Sequence, residues 1–187
     1  MLVNWSFISQ LEGGRRLMGY VPCLEAGQRG VTVATGVDLG NYSPSTIDAM
    51  LIPDGLKTKL KPSAGLKGEA AAAALDAQPL GVTSGEAEAL DEAVKKPVVQ
   101  QVAASYNAAV QDQEGLEPFN MLPEAAQTVI ASVALKYGPD LPARVPRFWQ
   151  CVCAQDWPAA VAELEQHGDS HHARHKREAE LLQSIYR

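Results

Sequence analysis

The spacing of apolar positions changes twice along the chain. In "NWSFISQLEGG", Trp5, Ile8, Leu11 and Glu12 recur three and four apart, so they share one side of a short amphipathic helix over residues 4–13. Asn4 or Ser6 is placed to cap its start, and Gly13-Gly14 to end it. Glu12 thereby falls in the last turn beside the apolar stripe, an unfavourable end of the helix dipole for a carboxylate. From residue 18 to 40 the pattern is strand-like. "MGYVPCL" and "GVTVATGVDL" are β-rich runs separated by the turn-like "EAGQRG", enough for two or three short strands.

After "NYSPS" the period returns to that of a helix. "PSTIDAMLI" begins at Ser43 or Ser45, with Pro44 near its first turn. Pro53, Gly55, Pro62 and Gly65 break the next stretch into short helices and turns. "GEAAAAALDA" is rich in strong helix formers. "TSGEAEALDEAVKKPVVQQVAASYNAAV" opens with a capping-box pattern, Thr83 to Glu86, and Pro97 is expected to kink or divide it. "LPEAAQTVIASVALKYG" reads as a buried helix stopped by Gly138. "RVPRFWQCVCAQ", "WPAAVAELEQHG" and the amphipathic "HHARHKREAELLQSIYR" follow as three more helices. No internal repeat or obvious linker interrupts the series. The class is mainly α with a small β-region (α+β), in one domain over residues 1–187.

Composition narrows the function. The 187 residues suffice for one medium domain with a proper core. Hydrophobic residues make up 46% and charged residues 20%, ordinary for a soluble globular protein. The net charge of −6 lacks the footprint of a nucleic-acid binder, so nucleic acid is not an expected partner. The three cysteines, Cys23, Cys151 and Cys153, are an odd number without zinc-site spacing, and are read as free or buried thiols. No apolar run approaches the roughly 18 residues of a membrane span, so no membrane insertion is expected. "MLVNWSFISQLEGGRRL" shows no basic leader ahead of an apolar core. The expectation is a product made in the cytoplasm without a signal peptide.

Three polar side chains stand out within the apolar N-terminal pattern: Glu12, Thr32 and Asp38. Burial beside apolar residues and a nearby negative dipole would both favour the protonated form of Glu12. A carboxylic acid held protonated near neutral pH is what a glycosidase needs to protonate a leaving oxygen. Thr32 and Asp38 share parity along the run, so they can face one side. Six extended residues would set them about 20 Å apart, and Gly36 is the residue that would permit the necessary bend. Asp38 is then expected outside the apolar hairpin, exposed and ionised. Two carboxyls in unlike environments, with a hydroxyl to hold water, suit acid–base hydrolysis.

The order of these parts, "FISQLEGG", then "GYVP", then "GVTVATGVDLG", resembles the pesticin-like muramidases, relatives of the phage-type lysozymes. "LPEAAQTVIASVALKYG" is similar to the core helix of that family, and "FWQCVCAQDWPAAVAEL" and "RHKREAELL" to its last helices. The likeness covers most of the chain, with residues 50–110 the least distinctive. It implies a lysozyme-like, two-lobed domain, with a β-lobe over approximately 15–42, a helical lobe over approximately 43–187 and a glycan groove between them. It implies hydrolysis of the β-1,4 bond between N-acetylmuramic acid and N-acetylglucosamine in bacterial peptidoglycan, by inversion.

The family's glutamate, threonine and aspartate match Glu12, Thr32 and Asp38. The threonine precedes the aspartate here, whereas common phage lysozymes have the opposite order. Thr35 is a second hydroxyl in the motif, and either threonine can hold the water. Tyr20 and Tyr42 flank the implied cleft and are candidates for glycan contact. No cofactor is implied. The protein would act on the wall in the periplasm after export by other machinery, as an antibacterial effector, toxin or endolysin, with secretion machinery or an immunity protein as further partners. A non-catalytic glycan-binding module and a lytic transglycosylase are the rival readings. The first would be expected to lose Glu12 or Asp38, and the second needs no water-directing aspartate.

The terminal helix departs from the resemblance in its histidines. His171 and His175 have a metal-compatible spacing, but a solvated face is the expected use, so no metal is assigned. Arg174 and Glu178 form a structural helical pair. Trp5, Trp149 and Trp157 are expected to pack in the core or between helices.

Overall fold

In a computed structural model of the chain, the residues described are 1–22, 29–166 and 172–186. They form two compact units, one of Met1–Leu11 with Lys96–Arg187 and one of Glu12–Lys95.

The first unit is helical. It contains α1 (Trp5–Leu11), the later part of α5 (Ser84–Val110), α6 (Glu124–Tyr137), α7 (Leu141–Arg144), α8 (Pro146–Cys153), α9 (Trp157–Gln166) and α10 (His172–Gln183). Of the two expected caps of α1, Asn4 serves: its Oδ1 accepts from Phe7 N at 2.9 Å. Every residue of α6 from Ala126 to Ala134 is buried, Gln127 included, so the middle of the helix is covered all round, as its sequence suggests. Gly138 ends it at φ +93°, a conformation other residues resist. Around α6 the core takes in Tyr106, Phe119, Leu122, Val152 and Leu182, with Trp149 inside it and Trp5 and Trp157 packed against it.

Pro97 lies within α5, which runs unbroken for 27 residues, so the proline does not divide it. At its start the capping box forms as its sequence suggests. Glu86 N donates to Thr83 Oγ1 at 3.2 Å, and Thr83 N donates to Glu86 Oε2 at 2.8 Å.

Helix α10 corrects one expectation. His175 is not on a solvated face but buried, with Nδ1 2.8 Å from Glu178 Oε2 and Nε2 2.8 Å from Tyr137 Oη. Glu178, fully buried, also accepts from Arg174 Nε at 3.0 Å and from Ser132 Oγ. The Arg174–Glu178 pair is therefore structural, as its spacing indicates. His171 lies outside the described residues.

The second unit holds a three-stranded antiparallel sheet of β1 (Arg16–Tyr20), β2 (Thr32–Ala34) and β3 (Val37–Asp38), in that order. It also holds α2 (Pro44–Ala49), α3 (Asp54–Leu60), α4 (Gly68–Ala77) and the first part of α5. Val31, Val33, Leu39, Ile47, Leu56, Leu60 and Leu90 fill its core. Ser43 caps α2, accepting from Thr46 N. The free side of β1 is covered by the segment before α5, with Gly19 N donating to Leu80 O and Val82 N to Leu17 O.

The hairpin between β2 and β3 turns through Ala34 at φ +54° and Gly36 at φ +77°, which is the bend the sequence required. Gly30 and Gly40 approach so closely that a Cβ on Gly30 would meet the Gly40 backbone and, at 2.6 Å, Leu66 O. Glycine at both positions therefore follows from packing.

Candidate active site

The register of the sheet sets the first part of the site. Thr32 is paired with Tyr20 on β1 and with Asp38 on β3. Directly opposed residues project to the same face, so Tyr20, Thr32 and Asp38 form one row across the three strands. A register irregularity between Arg16 and Tyr20 separates the two ends of β1. The Arg16 guanidinium lies over the Tyr20 ring, 4.3 Å from its centroid.

Asp38 is not exposed, as its turn position suggested; it is 7% exposed. Its Oδ1 accepts from Gly40 N at 2.9 Å and from Gly30 N at 3.0 Å, capping the single 3-10 turn Leu39–Asn41. The close glycine approach explains the burial, because it brings two backbone donors to one carboxylate oxygen. Oδ2 has the Arg29 Nη1 at 3.7 Å. Arg29 is largely exposed, so this pair is loose and screened. Thr32 is buried, and its Oγ1 donates to Gly30 O at 3.3 Å. The Tyr42 phenol is pushed above its ordinary value, chiefly by burial and further by the negative charge of Asp38. Tyr42 is therefore within electrostatic reach of the row.

Glu12 follows α1 directly in the chain, in a turn, one residue later than its expected place in the last helical turn. Gly13 and Gly14 follow at φ +86° and +83°. Its side chain is 20% exposed, and it faces a cation where the sequence suggested an apolar wall: Lys95 Nζ donates to Oε2 at 2.9 Å. Lys95 lies 3.9 Å from Asp91, one turn earlier on α5. Asp91 accepts from Thr35 N at 2.9 Å and from Thr35 Oγ1 at 2.6 Å, and pairs with Arg15 Nε at 3.3 Å. A continuous polar chain thus links Glu12 through Lys95 and Asp91 to the hairpin turn. Thr35 commits both its amide and its hydroxyl to Asp91, whereas Thr32 stands in the row with Asp38.

Residues 2–158 match the family model described as Pesticin, bacterial toxin homologue of phage lysozyme, C-term. The chain belongs to the pesticin family. A comparison with curated proteins found no match. The match takes in the whole Glu12–Lys95 unit. Its members are lysozyme-like, and mainly helical architecture with a small antiparallel sheet is the fold of this chain too.

Around these candidate residues, sequence reasoning passed over Arg15, Asp91 and Lys95. Their signal was present on α5. Ala87, Leu90 and Val99 mark its buried stripe, and Asp91 and Lys95, both buried, interrupt that stripe with charge. No group of three or more His, Cys, Asp or Glu side chains able to hold a metal occurs among the described residues.

Proposed function

We propose that the protein is a muramidase that cleaves the β-1,4 bond between N-acetylmuramic acid and N-acetylglucosamine in bacterial peptidoglycan. Glu12 is the general acid, Asp38 the base that directs a water, and Thr32 the hydroxyl that holds it. The observation that carries this reading is the row of Tyr20, Thr32 and Asp38 across the sheet. Family membership supports the class of substrate.

Asp38 suits the base role because one of its oxygens is already fixed. Two backbone donors orient Oδ1, and the carboxylate needs no rearrangement to present Oδ2 to a water. Thr32 stands directly opposite with a second polar group for the same water. In the reaction Glu12 gives its proton to the bridging oxygen and the bond to the anomeric carbon breaks. The water oxygen bonds to that carbon from the other face, and the water's proton passes to Asp38. The anomeric centre inverts. Tyr20 and Tyr42 contact the glycan, Tyr20 with its ring held by Arg16. The protein reaches the wall through export by other machinery, as an antibacterial effector, toxin or endolysin.

The test is release of reducing ends from purified peptidoglycan, with products identified by mass. Wild type should yield hydrated reducing-end fragments. Glu12→Gln should lose at least about 100-fold in rate, the range of a positioned acid, while keeping its melting behaviour. Fragments one water lighter, carrying an internal anhydro ring, would assign a lytic transglycosylase. Full activity in the folded Glu12→Gln variant would remove Glu12 from the acid role.

A further inference from the structure

We propose that Asp91 and Lys95 are positioning residues: together they form a clamp on one face of α5 that holds the acid with one end and the catalytic hairpin with the other. The proposal rests on the muramidase reading of Glu12, Thr32 and Asp38.

Glu12 lies in a turn just past the end of α1. Two glycines with positive φ follow it, and neither would meet any atom within 4 Å if given a Cβ. Lys95, whose side chain is 7% exposed, fixes one oxygen of Glu12, its ammonium donating to Oε2. A long, flexible lysine is rarely buried without a reason. Here its charge lies between Glu12 and Asp91. Asp91 takes both polar groups of Thr35 at the turn between β2 and β3, the strands that carry Thr32 and Asp38. Arg15, three residues after Glu12, closes the arrangement on Asp91 Oδ2. Two residues spaced four apart on a rigid helix thus fix both the acid and the turn of the hairpin that bears the base. Acid–base hydrolysis by inversion depends on the separation of its two carboxyls, and that separation is what a shared helical anchor would set.

A buried ion pair could equally be a mere staple of the fold, and such pairs are often replaced by apolar residues at no cost. The two roles differ in what they do to turnover. Steady-state kinetics on soluble peptidoglycan fragments would be measured for wild type, Lys95→Met and Lys95→Arg, each with its melting temperature. The clamp predicts that folded Lys95→Met keeps KM within about twofold while kcat falls on the order of 100-fold, as expected for displacement of a reacting group by about 1 Å. Lys95→Arg, which keeps the pair, should recover most of that loss. Should Lys95→Met fail to fold, Lys95→Gln against Lys95→Arg makes the same comparison of neutral and charged donors. Folded Lys95→Met turning over within about threefold of wild type would overturn the clamp and leave the muramidase reading intact. An inactive wild type would overturn both, since the clamp exists to position that acid.

Discussion

Replacing Asp38 by asparagine and by alanine separates its two jobs. The side chain is buried, and Oδ1 accepts from the amides of Gly30 and Gly40, both buried themselves. Alanine leaves those two donors without an acceptor. A stranded buried donor costs about 1–3 kcal/mol, so the pair costs about 2–6 kcal/mol. Asparagine keeps the oxygen acceptor and loses only the charge assistance, about 1 kcal/mol. In a chain of this size each kcal/mol lowers the melting temperature by about 2–4 °C. Calorimetry should therefore find Asp38→Asn about 2–4 °C below wild type and Asp38→Ala about 4–24 °C below. Both variants should lose on the order of 100- to 10,000-fold in wall hydrolysis, the range for a positioned base. An alanine variant melting with wild type would refute the structural role of the two amide bonds. An asparagine variant with full activity would refute Asp38 as the base.

Three further outcomes follow from particular contacts. Removing the charge of Asp38 should lower the Tyr42 phenol toward its ordinary value without reaching it, because burial is the larger cause and remains; an unmoved ultraviolet titration would contradict their proximity. Gly30→Ala should cost about 1–3 kcal/mol or more by collision with the Gly40 and Leu66 backbone. Gly36→Ala meets no atom and pays only for its φ of +77°, about 1–2 kcal/mol, so thermal melts that place Gly36→Ala below Gly30→Ala would refute the packing argument. Burial raises the Cys153 thiol to about 11, so its thiolate is about one part in a thousand at pH 8, against about a quarter for an ordinary thiol. Alkylation should be correspondingly slow at that pH and accelerate toward pH 11; mass mapping showing rapid labelling of Cys153 at pH 8 would refute this.

Much of this was legible in the sequence because it is local. The helix over "EAAQTVIASVALKY" and its stop at Gly138 follow from composition and backbone freedom alone. The capping box needs only Thr83 and Glu86. The return of the chain that brings Asp38 back to Thr32 was readable from shared parity and Gly36. What stayed hidden depends on long-range contact. Tyr20 joins the row through a register irregularity that no alternation rule places. Asp38 looked like a solvated turn residue because its donors come from glycines whose close approach is tertiary. Lys95 meets a partner 83 positions away, and His175 a tyrosine 38 positions away. For His175 a polar helix face suggested solvent where burial is the fact, and Lys95, also buried, drew no reading at all.

The central claim is that Asp38 directs a water rather than attacking the sugar. That role needs room for the water, about 6.5–9.5 Å between carboxyls against about 5–5.5 Å for direct attack. The decisive measurement is proton NMR of the newly formed reducing end, recorded before mutarotation, during cleavage of a β-linked glycan fragment by the wild-type protein. The account predicts that the α-anomer appears first and that the β-anomer grows in only by equilibration. A β-anomer appearing first, or a sugar ester trapped on Asp38, would contradict it.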